Sequence, residues 1–487
     1  MKQFLLKEKI PAITWIIYLI ITFIAVFFHE ANRDEAQAWL IVRDLNIGEI
    51  FSQLNVKGHP GLWYLILLPF AKLGFPYITM HLIHWLIMSI AVGIFLYKAP
   101  LNFYTKLCFV FSYYIVFEYT IIARNYGLTV LILFLIAAFY KYRFTSPYKY
   151  ALLVLLLLNC NVHSIGAGIA LLIVYIAEVK KEGLISKLKF PIIIIVAGFF
   201  AAIIQLIPSA HLSHDVTIHA DYLPLLNINS IWVTTTGIQN AFIPITPEYE
   251  ELKVALFFTF VFVLFLFNFY KTKQIFTFLL ISSLWLFYIF STKLSGSWRH
   301  EGLLLIFIVF SIWINSYYQN NNKPEEIRSK IDNFLKIFLT LALCINTIFG
   351  LSTIKKEIQN NFSGTKELSE FIIQNHLENN DIACYRSWRA SGISPYLPKT
   401  HLWFIDRQEY GTYFILDSIF QKKGDALTEE EVLSITKSKY KEVLLLLNEP
   451  LLKGNDNSFN SVLLFNTKKM NWGTDDEIFY LYKIKFD

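Results

Sequence analysis

The chain has 487 residues, of which 55% are apolar, 17% aromatic and only 16% charged, with a formal net charge of +6. Apolar runs approaching the roughly 20 residues needed to span a bilayer recur along most of it, which excludes a water-soluble enzyme and predicts a polytopic α-helical membrane protein. The small positive balance then reads as orientation in the membrane rather than as nucleic-acid binding, and four scattered cysteines, three of them in apolar runs, imply no disulfide framework.

In chain order, the first run, Ile10 to Phe28, is too long for a removable signal and lacks a small-residue cleavage site, so it is read as a retained anchor. Further runs fall near 77–97, 103–118, 126–140, 150–164, 165–179, 190–208, 252–270, 274–292, 301–317 and 334–352. One more stretch, GLWYLILLPFAKLGF from Gly61, holds Pro69 and Lys72. At 1.5 Å per residue its length falls short of the roughly 30 Å hydrocarbon core, so it is placed in the interface or as a re-entrant helix.

The basic residues test that placement. With the N-terminus inside, alternate loops carry Lys2, Lys7 and Lys9; Lys98 and Lys106; Lys141, Arg143 and Lys149; Lys180, Lys181, Lys187 and Lys189; Lys271 and Lys273; and Lys323, Arg328 and Lys330. The long loop 209–251 on the other side carries none. This positive-inside pattern gives eleven spans with a cytoplasmic N-terminus. Residues 1–352 then form the membrane domain, with a first outer loop at 29–76 and a second at 209–251. Beyond Ser352, short strand-like bursts such as EVLLLL and IFYLYKI alternate with helix patterns, predicting a small extracytoplasmic α/β domain over 353–487.

Orientation sorts the polar residues. Asp34, Glu35, His59, Glu118, Arg124, Asn159, Asn161, His163, Arg299, His300 and Glu301 come from separate places in the chain yet fall at one outer boundary. Ionisable groups at span ends mark functional sites unless they are paired structurally. Each has a structural reading. Asp34 with Gln37 fits an N-cap, Glu35 a solvated first-turn acid, Arg124 a snorkelling cation, His59 a turn residue before Pro60, His163 a packing residue, and Arg299–Glu301 a loop tip. Their shared sidedness favours instead a site for an anionic ligand beside a carboxylate. His211, His214, Asp215 and His219 offer metal-ligating side chains, but their spacing matches no familiar zinc motif.

Three of these segments, in order, carry a resemblance. RDEAQAW at residues 33–39, GHPGLWY at 58–64 and ARNYGL at 123–128 resemble the acidic pair, the [KH]-P-P-L-x-Y element and the A-R-x-Y-[AS]-L element of the GT-C superfamily of lipid-linked-sugar glycosyltransferases. That superfamily includes protein O-mannosyltransferases and aminoarabinose transferases. NVHS and SWRHEG are further echoes. Gly61 replaces the second proline, and Gly58 stands where aminoarabinose transferases carry a glutamate.

The resemblance implies a polyprenyl-phosphate sugar donor in the bacterial inner membrane, its tail among the helices and membrane lipids, and an extracytoplasmic lipid, glycan or protein acceptor. In that reading Asp34, with Glu35 second, takes the proton of the attacking hydroxyl. His59, Arg124, Arg299 and His300 stabilise the phosphate leaving group, Glu118, Tyr126, Asn161 and His163 line the cavity, and attack inverts the anomeric carbon. No cofactor is required, and a divalent metal is left open. Three other readings compete, one of them a non-catalytic anchor for the C-terminal domain, which leaves the membrane-side acids and Arg124 unexplained. An O-antigen polymerase or ligase would want arginines in the late outer loop, where 209–251 has none. A lipid-linked glycan transporter or flippase would want mid-membrane charges and repeated halves, and neither is visible.

Overall fold

The computed structural model describes residues 2–207, 228–244, 251–292, 296–318, 326–452, 459–467, 473 and 476–487. Helix α1 (Lys2–Phe28) leads into three short helices, α2 (Arg33–Asp44), α3 (Ile47–Lys57) and α4 (Leu62–Lys72). Then come α5 (Ile78–Lys98), α6 (Phe103–Val110), α7 (Asn125–Phe139), α8 (Pro147–Leu158), α9 (Ile165–Lys181) and α10 (Ile185–Leu206). The helical half ends with α11 (Ile228–Phe242), α12 (Leu252–Phe269), α13 (Lys273–Thr292), α14 (Trp298–Asn315) and α15 (Glu326–Gln359). Among the described residues, eight helical stretches are long and apolar enough to cross a membrane.

Their outward faces say what surrounds them. Ile13, Ile16, Ile20 and Ile24 of α1, Ile193, Phe200 and Ile204 of α10, and Ile337, Leu341, Ile345 and Ile348 of α15 are exposed. Helical spacing places each set in one stripe, an apolar surface suited to hydrocarbon and not to water. Helix α14 is the opposite case. It is buried almost from end to end, packed against α7, α11, α13 and the segment before α7.

Helix α4 has 11 residues, about 16 Å at the α-helical rise, so it is too short to cross, as its length in the sequence suggests. The run at 103–118 is not one helix. It divides into α6 and a turn of π-helix at Tyr114–Glu118, and α6 is stitched to α15 by Thr105–Thr340 (2.9 Å) and by the Cys108 and Cys344 sulfurs at 3.2 Å.

The second outer loop needs a correction. Part of it is helix α11, which lies inside the bundle. Phe242 stacks on Phe258 and Phe265, the Tyr114 hydroxyl donates to the Asn240 carbonyl at 2.5 Å, and the Asn346 amide donates to the Phe242 carbonyl at 2.7 Å. Thr234–Thr236, Gln239 and Asn240 dilute its apolar pattern, so periodicity alone misses it. His211, His214, Asp215 and His219 lie outside the described residues.

The C-terminal part is built on a six-stranded sheet in the order β3-β2-β1-β4-β6-β5. These are β1 (Ile382–Cys384), β2 (Leu402–Phe404), β3 (Glu409–Gly411), β4 (Glu442–Leu447), β5 (Phe459–Asn466) and β6 (Tyr480–Phe486). β1 runs parallel to β2 and β4, while the edges are antiparallel. Strand alternation sends Ile382, Cys384, Leu444 and Leu446 toward α16 (Thr365–Gln374), and Ala383, Val443 and Leu445 to the opposite face with Val432. A sheet filled on both faces is the α/β domain that the sequence pattern predicts.

Close approach between α9 and α13 gives a test of the bundle. A Cβ at Gly166 would stand 2.3 Å from the Trp285 Cβ, and Trp285 Nε1 is held by the Val162 carbonyl at 2.7 Å. Gly166→Ala should therefore force the two helices apart and destabilise the protein by about 1–3 kcal/mol, read as a lower thermal midpoint in detergent. An unchanged midpoint would mean that the helices do not meet there.

Candidate active site

The site begins with how α2 starts. Asn32 is its N-cap, accepting the N–H groups of Asp34 (3.0 Å) and Glu35 (3.1 Å), and Glu35 returns a carboxylate to the Asn32 N–H at 3.2 Å. This reciprocal box satisfies the first turn. Asp34 is thus not the cap, and its carboxylate is left for other partners.

Those partners are two arginines. Arg124, the residue from which α7 starts, and Arg299, in the first turn of α14, both direct a guanidinium to the same oxygen, Asp34 Oδ2. Arg124 makes a short ion pair, and Arg299 stands at 3.4 Å. The Asp34 side chain keeps 34% of its surface exposed. Burial works to raise its pKa, but Arg124, Arg299 and Arg33 together outweigh this and hold the carboxyl below its ordinary range. The N-termini of α2, α7 and α14 therefore converge, each contributing partial positive charge.

A wall of rings adjoins the ion pair. Tyr126 lies 6.3 Å from His59, 5.9 Å from His163 and 5.6 Å from His300, and the last two histidines stack at 4.4 Å. His300 Nδ1 accepts the Ser297 N–H at 3.2 Å, which leaves the proton on Nε2. Burial, then His163, Arg124 and Arg299, hold the His59 pKa well below its usual value, so that ring is neutral. Buried polar atoms normally find partners. Here His59 Nδ1, the Tyr126 hydroxyl, both His163 nitrogens and Arg299 Nε make no hydrogen bond within the described chain.

No family model matches the chain, and no curated protein matches it in sequence. Solved structures do match. The fold is similar to that of ArnT. ArnT from Cupriavidus metallidurans in the apo state aligns over 99% of this chain and 98% of its own, with a TM-score of 0.55 and 10% identity. The same protein bound to undecaprenyl phosphate aligns over the same shares with a TM-score of 0.51 and 10% identity. At this identity the likeness is one of fold, and it accords with the membrane-helical fold that the resemblance read from RDEAQAW, GHPGLWY and ARNYGL implies. The chain is an integral membrane protein with an ArnT-like fold.

Within this ArnT-like frame the predicted site residues divide. Asp34, Arg124, Arg299, His59, Tyr126, His163 and His300 come together. Glu35 does not share their setting. It is fully buried, with Oε1 accepting the Ala123 N–H at 2.6 Å and Oε2 at 3.0 Å from His29, so it is neither solvated nor open to an acceptor. Asn161 is a cap, taking the Ser164 N–H at 2.9 Å and donating to Thr129 at 2.7 Å. Glu118 is buried in the π turn and accepts the Tyr113 hydroxyl at 2.7 Å. Glu301 follows these two inward and is 5% exposed, so the Arg299–Glu301 run is not an exposed loop tip.

Sequence reasoning missed Arg33 and its partners. The Arg33 guanidinium pairs with Asp476 (2.8 Å) and Glu477 (3.2 Å), and its backbone N–H reaches Glu477 at 3.0 Å. Gln37 exchanges two hydrogen bonds with the Phe414 backbone (2.7 and 3.2 Å), and the Tyr396 hydroxyl takes the Ala31 N–H at 3.2 Å. The sheet domain thus grips the helix that carries Asp34. Partners some 350–440 positions apart leave no local signal.

Capping and pairing now separate by residue. Asn32→Ala should destabilise the protein by about 0.5–2 kcal/mol in thermal melts, whereas Asp34→Asn removes no cap and should leave the helical circular-dichroism signal of the protein as it is. Equal loss of folded protein in both would overturn this division.

Proposed function

We propose that the protein is an inverting glycosyltransferase that moves a sugar from a polyprenyl-phosphate donor to an acceptor hydroxyl on the outer side of a bacterial inner membrane. One observation carries this reading. Two guanidiniums share a single carboxylate oxygen at the meeting point of three helix N-termini, beside ring groups that make no hydrogen bond among the described residues. Asp34 offers one oxygen to two arginines, and the further carboxyl that faces them, Glu118, is taken up by the Tyr113 hydroxyl, so the pair of guanidiniums suits a phosphate. ArnT, whose fold this chain resembles, has been crystallised with undecaprenyl phosphate, a lipid of the class proposed here.

The chemistry follows from the charges. The donor phosphate takes Arg124 and Arg299 in bidentate and single contacts, and Tyr126, His163 and His300 bond the head group. Asp34, relieved of its guanidiniums, regains basicity and accepts the proton of the attacking hydroxyl as its oxygen reaches the anomeric carbon. The C–O bond to phosphate breaks on the opposite face, which inverts the centre, and the leaving phosphate keeps the electron pair under the stabilisation of the arginines. Phosphate is a good leaving group, so no general acid is needed.

Three outcomes test this in reconstituted membranes supplied with isoprenoid-phosphate sugars. Asp34→Asn should lower kcat by at least ~100-fold; full activity would remove Asp34 from the chemistry. Arg124→Lys should lower kcat by about 100-fold because an ammonium cannot reproduce the fork; wild-type kinetics would remove Arg124 from the phosphate site. The pH profiles should also differ. In the free enzyme the arginines depress Asp34, so the acid limb of kcat/KM lies below the ordinary carboxylate range of about 3.9. With donor bound, Asp34 loses those cations, its pKa rises, and the acid limb of kcat moves to higher pH. Coincident limbs would contradict the exchange of partners.

A further inference from the structure

One buried cluster takes no part in the chemistry above. Glu35, His29 and His81 stand together where the loop after α1, the first turn of α2 and the first turn of α5 meet. Their side chains have 0%, 0% and 4% of their surface exposed. His29 Nε2 is 3.0 Å from Glu35 Oε2, His81 Nε2 is 3.5 Å from Glu35 Oε1, and the three ligand atoms lie within 4.8 Å of one another.

We propose that His29 Nε2, His81 Nε2 and the Glu35 carboxylate bind a divalent transition-metal ion, with Zn2+ the ion that fits. Four observations support the site. The donor set, two imidazoles and a carboxylate, is one that zinc takes, and ligands about 2.0–2.1 Å from a tetrahedral ion stand about 3.3 Å apart, between the two separations seen here. His29 Nδ1 faces Glu357 Oε1 at 2.7 Å, the outer carboxylate contact that orients and strengthens a metal-bound histidine. The buried His81 ring makes no short hydrogen bond among the described residues, its Nε2 standing at the 3.5 Å edge of reach of Glu35 Oε1. Finally, Glu35 and Glu357 put two carboxylates in a dry place, and a dication offsets both.

A simpler arrangement, His29 protonated between the two carboxylates, accounts for the His29 contacts but leaves His81 only at the edge of hydrogen-bond reach of Glu35. The ion would act at a distance from the reacting atoms. Glu35 Oε1 also holds the Ala123 N–H at 2.6 Å, so a metal on this carboxylate fixes the residues next to both Asp34 and Arg124. These three ligands are positioning residues. The site stands whether or not the protein is a glycosyltransferase.

The test measures metal rather than activity. Full-length protein purified from cells grown with added Zn2+ should carry one zinc per chain by plasma mass spectrometry. Asp34→Asn should carry the same amount, and His81→Ala and His29→Gln should carry none. Glu357→Gln should weaken Zn2+ binding by about 10–100-fold in a competition titration with a chelating dye. X-ray absorption at the zinc edge of the wild-type protein, which needs no variant to fold, should show imidazole and oxygen ligands at about 2.0–2.1 Å. Wild-type protein that neither carries zinc nor takes it up on refolding would overturn the proposal, as would zinc retained in full by His81→Ala. Metal without sugar transfer would sink the transferase reading alone, and transfer by a zinc-free protein would sink only this one.

Discussion

The site depends on the burial of Glu35. A carboxylate with no exposure must collect donors from wherever the fold can bring them, and Glu35 collects the Ala123 N–H, the Asn32 N–H and the His29 ring. Those donors lie in the loop after α1 and in the segment before α7. His29 in turn faces Glu357 near the end of α15. Removing one partner of such a set leaves a buried charge uncompensated, a penalty of about 3–5 kcal/mol. The network therefore has essentially one geometry. Asp34 and Arg124 are the chain neighbours of Glu35 and Ala123, and their ion pair is a consequence of where that carboxylate is held.

A second constraint comes from the sheet domain. Arg33, Gln37 and Ala31 all bond to residues between Tyr396 and Glu477, and the Thr365 hydroxyl donates to the Ala31 carbonyl at 3.0 Å. Helix α2 is short and sits at the head of a bundle, where isolated helices of its length are marginal. Its cap, Glu35 below and the sheet domain above supply what propensity does not. The domain is thus part of the scaffold of the site, which the sequence read only as a following unit.

Much of this was legible beforehand, for reasons that can be named. The apolar runs that become α1, α5, α10, α12 and α15 stand out by their length and composition, which a sequence displays directly. The inadequate length of Gly61–Phe75 is plain arithmetic. Asp34, Arg124, Arg299 and the histidines were found because polar residues at span ends are rare enough to be conspicuous. What stayed hidden is pairing, much of it over long separations. Helix α11 carries polar residues yet is buried, because the Tyr114 hydroxyl donates to the Asn240 carbonyl and the Asn346 amide to the Phe242 carbonyl. Asn161 and Glu118 look like cavity residues until their partners, Ser164 and Tyr113, are seen. Asp34 and Glu35 are adjacent and chemically alike, and only their surroundings give them different tasks.

That difference between neighbours carries the mechanism. At the other end of the bundle, Arg143 and Glu178 form a two-pronged pair at 2.8 and 2.9 Å, one cation to one anion with the Tyr318 hydroxyl closing it at 2.5 Å. Such a pair is complete and has nothing to offer a ligand. At Asp34 the count is unequal, two guanidiniums to one oxygen, with three helix N-termini adding to the same sign. An anion entering there meets both guanidiniums. In doing so it draws the arginines from the carboxylate and makes a poor base a better one. The same two cations that quiet Asp34 in the empty site would then stabilise the departing phosphate, so proton acceptance and leaving-group stabilisation begin together, when the donor is bound.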